Sequence, residues 1–167
     1  MSVTLRPFTE QDESAARAAW AEFQGTAFEF LFDFNPDEPW SVWTSRMDRY
    51  YRAEDLPADR VRAAFLAAEA DGQLVGAVSV RLALNDYLAT RGGHIGYGVI
   101  SNHRRKGYAT TMLREAIEFA RREDVDEILV TVDDDNTGSI RVIENCDGRL
   151  EQLVRPENSI PFRRYWF

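Results

Sequence analysis

A run of three cations directly before a helix is the feature of this sequence with the clearest chemical meaning. Residues 101–110 read SNHRRKGYAT, and Arg104, Arg105 and Lys106 precede the most strongly amphipathic stretch of the chain. Positive charge at a helix N-terminus is unfavourable by about 0.3–1 kcal/mol per charge, because the helix dipole is itself positive there. A bound anion would remove this conflict by accepting hydrogen bonds from free backbone N–H groups. Glycine at position 107 would let a phosphate approach the backbone.

The same segment also fits a solvated basic turn that binds nothing, with Gly107 serving only the local geometry. It is not a Walker-type P-loop, because the pattern G-x-x-x-x-G-K-[ST] is absent. It is not a dinucleotide-binding fingerprint either, since Ser101 stands where a third glycine would have to follow Gly96 and Gly98. The residues by themselves therefore leave a phosphate site and an empty turn both open.

In context, this segment resembles the signature of the GNAT acetyltransferases. Residues 104–109, RRKGYA, match the family pattern [Q/R]-x-x-G-x-[G/A], with a predicted strand before them and a helix after them. Residues 136–140, NTGSI, are similar to the N-x-x-A/S segment of the family, and residues 5–7 with Asp12 resemble its opening. Residues 94–151 read like a GNAT core. The stretches HIGYGV, RRKGYAT and VTVDDDN resemble a bacterial group of predicted GNAT acetyltransferases without an assigned substrate.

The resemblance implies an N-acetyltransferase that moves acetyl from the thioester of acetyl-CoA directly to a primary amine in a ternary complex. It implies that the backbone amides of residues 105–110 hold the pyrophosphate, that residues 99 and 100 offer backbone groups to the pantetheine arm, and that Asn136 hydrogen-bonds near it. Asn136 also fits a plain helix N-cap. No metal is implied. The implied CoA-binding set is Val99, Ile100, Arg104, Arg105, Lys106, Gly107, Tyr108, Ala109, Thr110, Asn136 and Ser139.

The usual general acid of the family is missing from this chain. Many GNAT enzymes protonate the leaving thiolate with a tyrosine seven residues after the helix asparagine, and that position holds Ile143 here. Candidate catalytic replacements are His94 and Tyr97 on the predicted central strand, and a backbone N–H near Val99 is a candidate for the oxyanion. Each side chain also has an ordinary interpretation, His94 as a surface histidine at a strand start and Tyr97 as a core residue.

Other residues with reactive side chains have plainer interpretations. Asp133, Asp134 and Asp135 indicate a strand exit and helix cap, because neither the glycine nor the terminal glutamate of an EF-hand loop follows. Cys146 is expected to be a buried small hydrophobe and His103 a solvated loop residue.

Phenylalanines at every second position, from Phe28 to Phe34, indicate either a lining for the acceptor pocket or core or dimer packing. Glu29 and Asp33 alternate with them and suit a cationic acceptor, although surface solvation explains them equally well.

Hydrophobic periodicity predicts the elements that position these residues. Strands are expected at 3–8, 63–70, 74–84, 93–100, 127–132, 149–154 and 162–167, and helices at 10–23, 40–51, 107–122 and 136–145. Thr9 suits an N-cap, and Asp71-Gly72 suits a hairpin turn. The predicted fold is α/β (α+β): a mixed, mostly antiparallel sheet with a central parallel strand pair splayed by a bulge, flanked by helices. Gly96 and Gly98 suit such a bulge or a close approach. We expect one domain, residues 1–167.

Composition limits the function classes. The chain has 167 residues, a formal net charge of −8 and one cysteine. Acidity disfavours nucleic-acid binding, the single cysteine favours a reducing compartment, and no apolar run suggests a membrane span, so a cytoplasmic enzyme is expected. A small-molecule or peptide amine is the expected partner; the acceptor and a homodimer stay open. A catalytically silent acyl-CoA-binding regulatory domain is the alternative, and an interaction module whose turn binds nothing is a third.

Overall fold

Two antiparallel sheets meet at a single corner. The computed structural model describes residues 2–167. The first sheet has the order β1-β2-β3-β4, with β1 Thr4–Pro7, β2 Ala63–Ala70, β3 Gln73–Arg81 and β4 Ile95–Val99. The second has the order β5-β7-β6, with β5 Leu129–Asp133, β6 Arg149–Val154 and β7 Phe162–Trp166. The helices are α1 Glu13–Glu22, α2 Trp40–Arg52, α3 Asp86–Thr90, α4 Tyr108–Arg122 and α5 Thr137–Asn145.

Helices cover both faces of β4, and the two faces carry different side chains. The predicted apolar stripe of α4 is confirmed, and its buried residues are Met112, Leu113, Ala116, Ile117 and Ala120. The odd-numbered residues of β4 join the core that includes α4 and α5. Gly96 and Gly98 point to the opposite face, toward an aromatic core built from α1, α2 and the phenylalanine-rich segment between them. No helix within residues 2–167 has the length and apolar character needed to cross a bilayer.

Most predicted elements are confirmed, with differences at their ends. Asp71 and Gly72 both have positive φ, +50° and +73°, as the primed turn of a two-residue hairpin requires. The predicted first helix begins as a 3₁₀ turn at Glu10–Asp12 before α1. Strand β3 ends at Arg81 instead of residue 84, and the unpredicted helix α3 follows. The Asn85 side chain caps α3 by accepting a hydrogen bond from the Leu88 N–H at 2.9 Å.

The two sheets are joined at the start of β4 and β5 and separate beyond it. The His94 N–H donates to the Leu129 carbonyl at 2.7 Å, and an isolated bridge links Gly93 with Val130. No strand ladder joins β4 to β5 within residues 2–167, so a gap opens between them. The β3–β4 ladder has no register shift, so the expected bulge is not in that ladder. Gly98 instead allows a close approach, because a Cβ there would lie 2.5 Å from the Phe28 ring.

We expect Gly93→Ala to destabilise the corner where the sheets meet. Gly93 has φ +63°, and a Cβ there would lie 2.4 Å from the Leu129 carbonyl oxygen. Strain and clash together should lower the free energy of unfolding by about 2–4 kcal/mol in urea titrations. Gly25→Ala is the matched control, because Gly25 has φ +79° but nothing within 4 Å of its Cβ position. Equal losses in the two variants would show that the contact with Leu129 is unimportant.

Candidate active site

The start of α4 presents consecutive backbone donors without acceptors. Within residues 2–167, no protein acceptor lies within hydrogen-bonding distance of the N–H groups of residues 105–110, and the next N–H, of Thr111, reaches the Gly107 carbonyl at 3.3 Å. Arg105 and Gly107 have positive φ, +59° and +83°, and such turns form the concave N–H nests that bind anions. The loop is exposed. These six donors fit the pyrophosphate of coenzyme A.

The three cations of this loop have different surroundings. Arg104 turns back toward α1: its Nε donates to the Val99 carbonyl at 2.9 Å, and its guanidinium lies 5.6 Å from the centroid of the Phe23 ring. Its Nη2 also lies 3.5 Å from Glu22. Arg105 and Lys106 are exposed, and neither forms an ion pair within the described part of the chain. Only Arg105 and Lys106 are therefore free to meet an anion at the nest.

Glu22, which the sequence did not single out, anchors the beginning of the loop. Its carboxylate accepts hydrogen bonds from the Ser101 N–H at 2.9 Å and from the Ser101 hydroxyl at 3.0 Å. The same carboxylate pairs with Arg104. Helix α1 thus positions a loop that is some eighty residues distant in sequence.

The outer edge of β4 offers backbone groups to the gap at alternate residues. Hydrogen bonds from Arg81 N–H to the His94 carbonyl and from Ile100 N–H to the Val75 carbonyl show that even-numbered residues of this strand pair with β3. The Ile100 carbonyl is also occupied, because it accepts from the His103 N–H at 2.8 Å. Ile100 therefore does not offer the free backbone groups expected of it. Tyr97 and Val99 direct their backbone N–H and carbonyl groups away from β3, toward the gap.

Tyr97 places a protonated hydroxyl between β4 and α5. Its oxygen lies 3.5 Å from the Ser139 carbonyl, and burial raises the pKa of the Tyr97 hydroxyl to about 12. The hydroxyl therefore keeps its proton near neutral pH, and the raised pKa also makes it a weaker acid than an ordinary tyrosine. Ile143, at the position where the resemblance places a tyrosine, is buried in the core and has no proton to give.

Asn136 and Ser139 are connected at the start of α5. The Asn136 side chain accepts a hydrogen bond from the Ser139 N–H at 3.1 Å, which is the N-cap geometry. Because the Ser139 carbonyl is the partner of Tyr97, the cap also fixes the group next to the candidate acid. Asn136 is therefore the N-cap of α5. A contact of its side chain with pantetheine is a proposal.

His94 is a buried residue that joins the two sheets, and it does not lie on the surface. Its Nδ1 accepts a hydrogen bond from the Leu129 N–H at 2.9 Å, so the ring proton of the neutral form is on Nε2. Burial, with a smaller effect of the nearby Arg81 cation, holds the pKa of His94 below its ordinary value. The one acceptor atom of the ring is thus already used, which makes His94 a poor general base and a good positioning residue.

We expect His94 to make stability depend on pH. Because its pKa is lower in the folded protein than in the unfolded chain, its contribution is complete above about pH 6.5 and is lost as pH falls toward the folded pKa. In that window the free energy of unfolding should fall by at most about 1.4 kcal/mol per pH unit from this group. His94→Gln keeps an acceptor for Leu129 but cannot titrate, so its stability should fall less steeply.

Urea unfolding at pH 7.5, 6.5 and 5.5 measures this difference. His103→Gln is the control for the loss of a histidine as such. Parallel pH dependence in the wild type and in His94→Gln would contradict the assignment.

The remaining candidates have structural surroundings. His103 is half-buried, with its ring 6.1 Å from that of Tyr108, and so is less solvated than expected. Cys146 is buried, and burial raises the pKa of its thiol. Asp133 pairs with Arg91 at 2.7 Å and Asp134 with Arg163 at 2.6 Å.

The phenylalanine-rich segment forms no strand, and its rings pack in the aromatic core. Phe28 lies against Gly96 and Gly98 of β4, and Phe23 also lies against Gly98.

Comparison with known proteins places this geometry in a family. A family model described as "Acetyltransferase (GNAT) domain" matches residues 2–149. RimJ of Mycobacterium smegmatis, solved in complex with CoA-disulfide, superimposes with a TM-score of 0.72 at 19% identity over 99% of this chain and 81% of that one. The microcin C7 self-immunity acetyltransferase MccE, in complex with acetyl-CoA and AMP, gives a TM-score of 0.69 at 18% identity over 99% and 91%.

A Salmonella typhimurium acetyltransferase that modifies the N-terminal serine of ribosomal protein L7/L12 gives a TM-score of 0.70 at 14% identity over 100% and 95%. No curated protein sequence matches this chain. At these identities the structural matches establish the fold, and the family model covers nearly the whole chain. Because of that coverage, this chain belongs to the GNAT family and is an acetyltransferase.

Proposed function

We propose that this acetyltransferase moves acetyl directly from acetyl-CoA to a primary amine, with both substrates bound together. The observation that carries the proposal is the set of six N–H groups at residues 105–110 that have no acceptor within residues 2–167, next to β4, whose outer edge pairs with no other strand in that part of the chain. A pyrophosphate at the nest and a pantetheine arm along β4 would satisfy both sets of donors. The thioester would then lie in the gap between β4 and β5.

Backbone groups of Tyr97 and Val99 are the proposed partners of the pantetheine amides and of the thioester oxygen. Both residues direct N–H and carbonyl groups toward the gap, because the alternate residues are paired with β3. The Val99 carbonyl has Arg104 as its present partner, and Arg104 is exposed enough to be displaced. An N–H aimed at the developing oxyanion stabilises the tetrahedral intermediate without reorganisation.

Tyr97 is the proposed general acid. Acetyl-CoA supplies the acetyl group already activated as a thioester. The neutral amine nitrogen forms a bond to the acetyl carbon, the carbon–sulfur bond breaks, and the Tyr97 hydroxyl gives its proton to the departing sulfur. The second proton of the attacking nitrogen passes to water, which then returns a proton to the tyrosinate. Tyr97 suits this role because it is protonated at neutral pH and its one partner, the Ser139 carbonyl, is distant at 3.5 Å.

The acceptor amine is expected to enter from the face opposite α4. The coenzyme fills the α4 side, so an amine must reach the thioester from the side of Gly96, Gly98 and Phe28. A lysine-like amine, with a pKa near 10.4, is almost fully cationic at pH 7 and must lose a proton before it attacks. The formal net charge of −8 favours the approach of such cations.

Acetyl-CoA binding and CoA release together test the proposal. Acetyl-CoA at about 100 times its Kd should stabilise the protein by about 2.7 kcal/mol, which a thermal-shift assay detects. A panel of primary amines should then release CoA and give N-acetyl products by mass spectrometry. Stabilisation with no turnover on any amine would favour the silent acyl-CoA-binding alternative. The absence of stabilisation would favour a module whose basic turn binds nothing.

A further inference from the structure

Arg81 is a partly buried cation without a carboxylate partner. It is the last residue of β3, and its Nη1 contacts only the Gly92 and Gly93 carbonyls, both at 3.3 Å. Within residues 2–167 no acidic side chain lies within ion-pair distance of it, and its Nε and Nη2 have no hydrogen-bond acceptor. Neither of these two nitrogens is a buried unsatisfied donor, so both are open to solvent and to a ligand.

The surroundings of Arg81 do not supply the missing charge. Burial lowers the pKa of the guanidinium, and Glu29 and Tyr87 are the groups near enough to oppose that shift. Glu29 is exposed and directs one carboxylate oxygen to its own segment, where it accepts from the Asp33 N–H at 2.9 Å. The neutral carbonyls of Gly92 and Gly93 are weak partners at 3.3 Å. Two fixed donors of the guanidinium fork are therefore available to an anion from outside the chain.

Arg81 lies on the face of the sheet from which the acceptor would enter. Ser79 pairs with Gly96, and Arg81, two residues later on β3, has its side chain on the same face. A Cβ on Gly96 would lie 3.0 Å from the Ser79 hydroxyl, 3.5 Å from the Phe28 ring and 3.8 Å from Arg81 Nη1. The guanidinium therefore lies beside the part of β4 that Phe28 covers.

The reacting centre is one to three residues along β4 from Gly96, the neighbour of Arg81. The outward N–H groups proposed for the thioester belong to Tyr97 and Val99, whereas Arg81 is next to Gly96. A strand rises about 3.3 Å per residue, so the Val99 N–H lies roughly 10 Å along β4 from Gly96 and the Tyr97 N–H about 3 Å. The α-carboxylate of a single amino acid is too close to its own amine to span the distance from Arg81 to an amine that attacks a thioester held at Val99.

We infer that Arg81 binds a carboxylate carried by the acceptor, several bonds from the amine that is acetylated. This inference rests on the proposed N-acetyltransferase function and assigns the substrate class: amino-carboxylates such as short peptides or ω-amino acids. The planar guanidinium fork matches a carboxylate through two parallel hydrogen bonds. Such substrates are zwitterions without net charge at pH 7, so the overall acidity of the protein gives little long-range selection and the local cation makes it.

Matched pairs of acceptors test the inference. Glycylglycine is compared with glycylglycinamide, and 6-aminohexanoate with 6-aminohexanamide, by CoA release at saturating acetyl-CoA. The wild type should prefer the acid of each pair by on the order of 10- to 100-fold in kcat/KM. Arg81→Gln should bring the ratio close to one by slowing the acids alone, and Arg81→Lys should be intermediate. Arg60→Gln, which removes a cation stacked on Phe32, is the control and should keep the preference.

The outcomes separate this inference from the proposed function. Amides acetylated as well as acids, or an acid preference that survives in Arg81→Gln, would overturn the role of Arg81 and leave the acetyltransferase standing. If Arg81 only stabilises the segment of Gly92 and Gly93, Arg81→Gln should lower kcat/KM for acids and amides equally. If neither pair is acetylated, equilibrium binding of each compound to the CoA-loaded wild type is measured instead. Binding of the acids but not of the amides supports the inference. Equal binding of acids and amides, or no binding of either, overturns it. Acetyl-CoA thermal shifts verify that each variant is folded.

Discussion

Reversing the charges of Arg105 and Lys106 together is expected to raise the Kd for acetyl-CoA about 10- to 100-fold. Both side chains are exposed beside the nest and free of ion pairs in the described structure, so their charge is available to a phosphate. The Arg105→Glu/Lys106→Glu variant leaves the backbone donors in place but turns attraction into repulsion. Arg104 is left unchanged because it holds the Val99 carbonyl and Glu22. Isothermal titration calorimetry measures the Kd for acetyl-CoA.

The control for this variant is Arg49→Glu/Arg155→Glu. Those two arginines are also exposed, and their reversal lowers the net charge by the same amount on other elements, α2 and the connection after β6. Their double variant should bind acetyl-CoA within about threefold of the wild type. The effect of the loop variant should also shrink as salt is raised, because exposed charges are screened over about 10 Å at 0.1 M. Equal effects of the two double variants would indicate that the net charge of the protein, and no local phosphate site, determines the affinity for acetyl-CoA.

Tyr97→Phe is expected to lower kcat by about 10²- to 10⁴-fold, the usual effect of losing a general acid or base. The Kd for acetyl-CoA should stay within about threefold, since the backbone groups at position 97 remain. The fold should tolerate the change, because the hydroxyl has one protein contact, at 3.5 Å, and the ring stays packed. Steady-state kinetics at saturating acetyl-CoA measures kcat, and the thermal shift with acetyl-CoA shows whether the variant still binds it.

Tyr51→Phe is the matched control for Tyr97→Phe. Tyr51 lies in α2, and its hydroxyl donates a hydrogen bond to Glu123 at 2.6 Å. It is far in sequence from the residues that border the gap, so removal of this hydroxyl should leave kcat unchanged. A kcat for Tyr97→Phe within twofold of the wild type would remove Tyr97 from the chemistry and transfer proton donation to solvent. The combination of Ile143 and an inert Tyr97 would then leave the chain without a side-chain acid at this site.

Features that depend on nearby residues could be predicted from the sequence. The stripe of α4 follows from helical periodicity, the hairpin from Asp71-Gly72, and the Asn136 cap from residue type. The cations at the helix start conflict with the dipole, which leaves an anion site and an empty basic turn both open, and the resemblance to the GNAT signature favours the anion site.

Features that depend on distant residues could not be predicted. Arg104 was expected to face the anion but is held by Glu22, which is 82 residues away. The sequence leaves a surface position open for His94, because its partner, the Leu129 N–H, is 35 residues later in the chain. Arg81 was missed because a cation at the end of an apolar strand is ordinary until its lack of a carboxylate is seen. In each case, tertiary packing determines which local tendency prevails.

Backbone amide NMR during titration with coenzyme A observes the six proposed phosphate donors individually. The largest shifts should fall on the N–H groups of residues 105–110, whose unpaired donors would receive the pyrophosphate. Titration with pantetheine, which lacks the pyrophosphate, should leave those six resonances nearly unchanged while shifting Tyr97 and Val99. If saturating coenzyme A leaves the resonances of residues 105–110 unmoved, no phosphate binds at the start of α4 and the proposed coenzyme site is wrong.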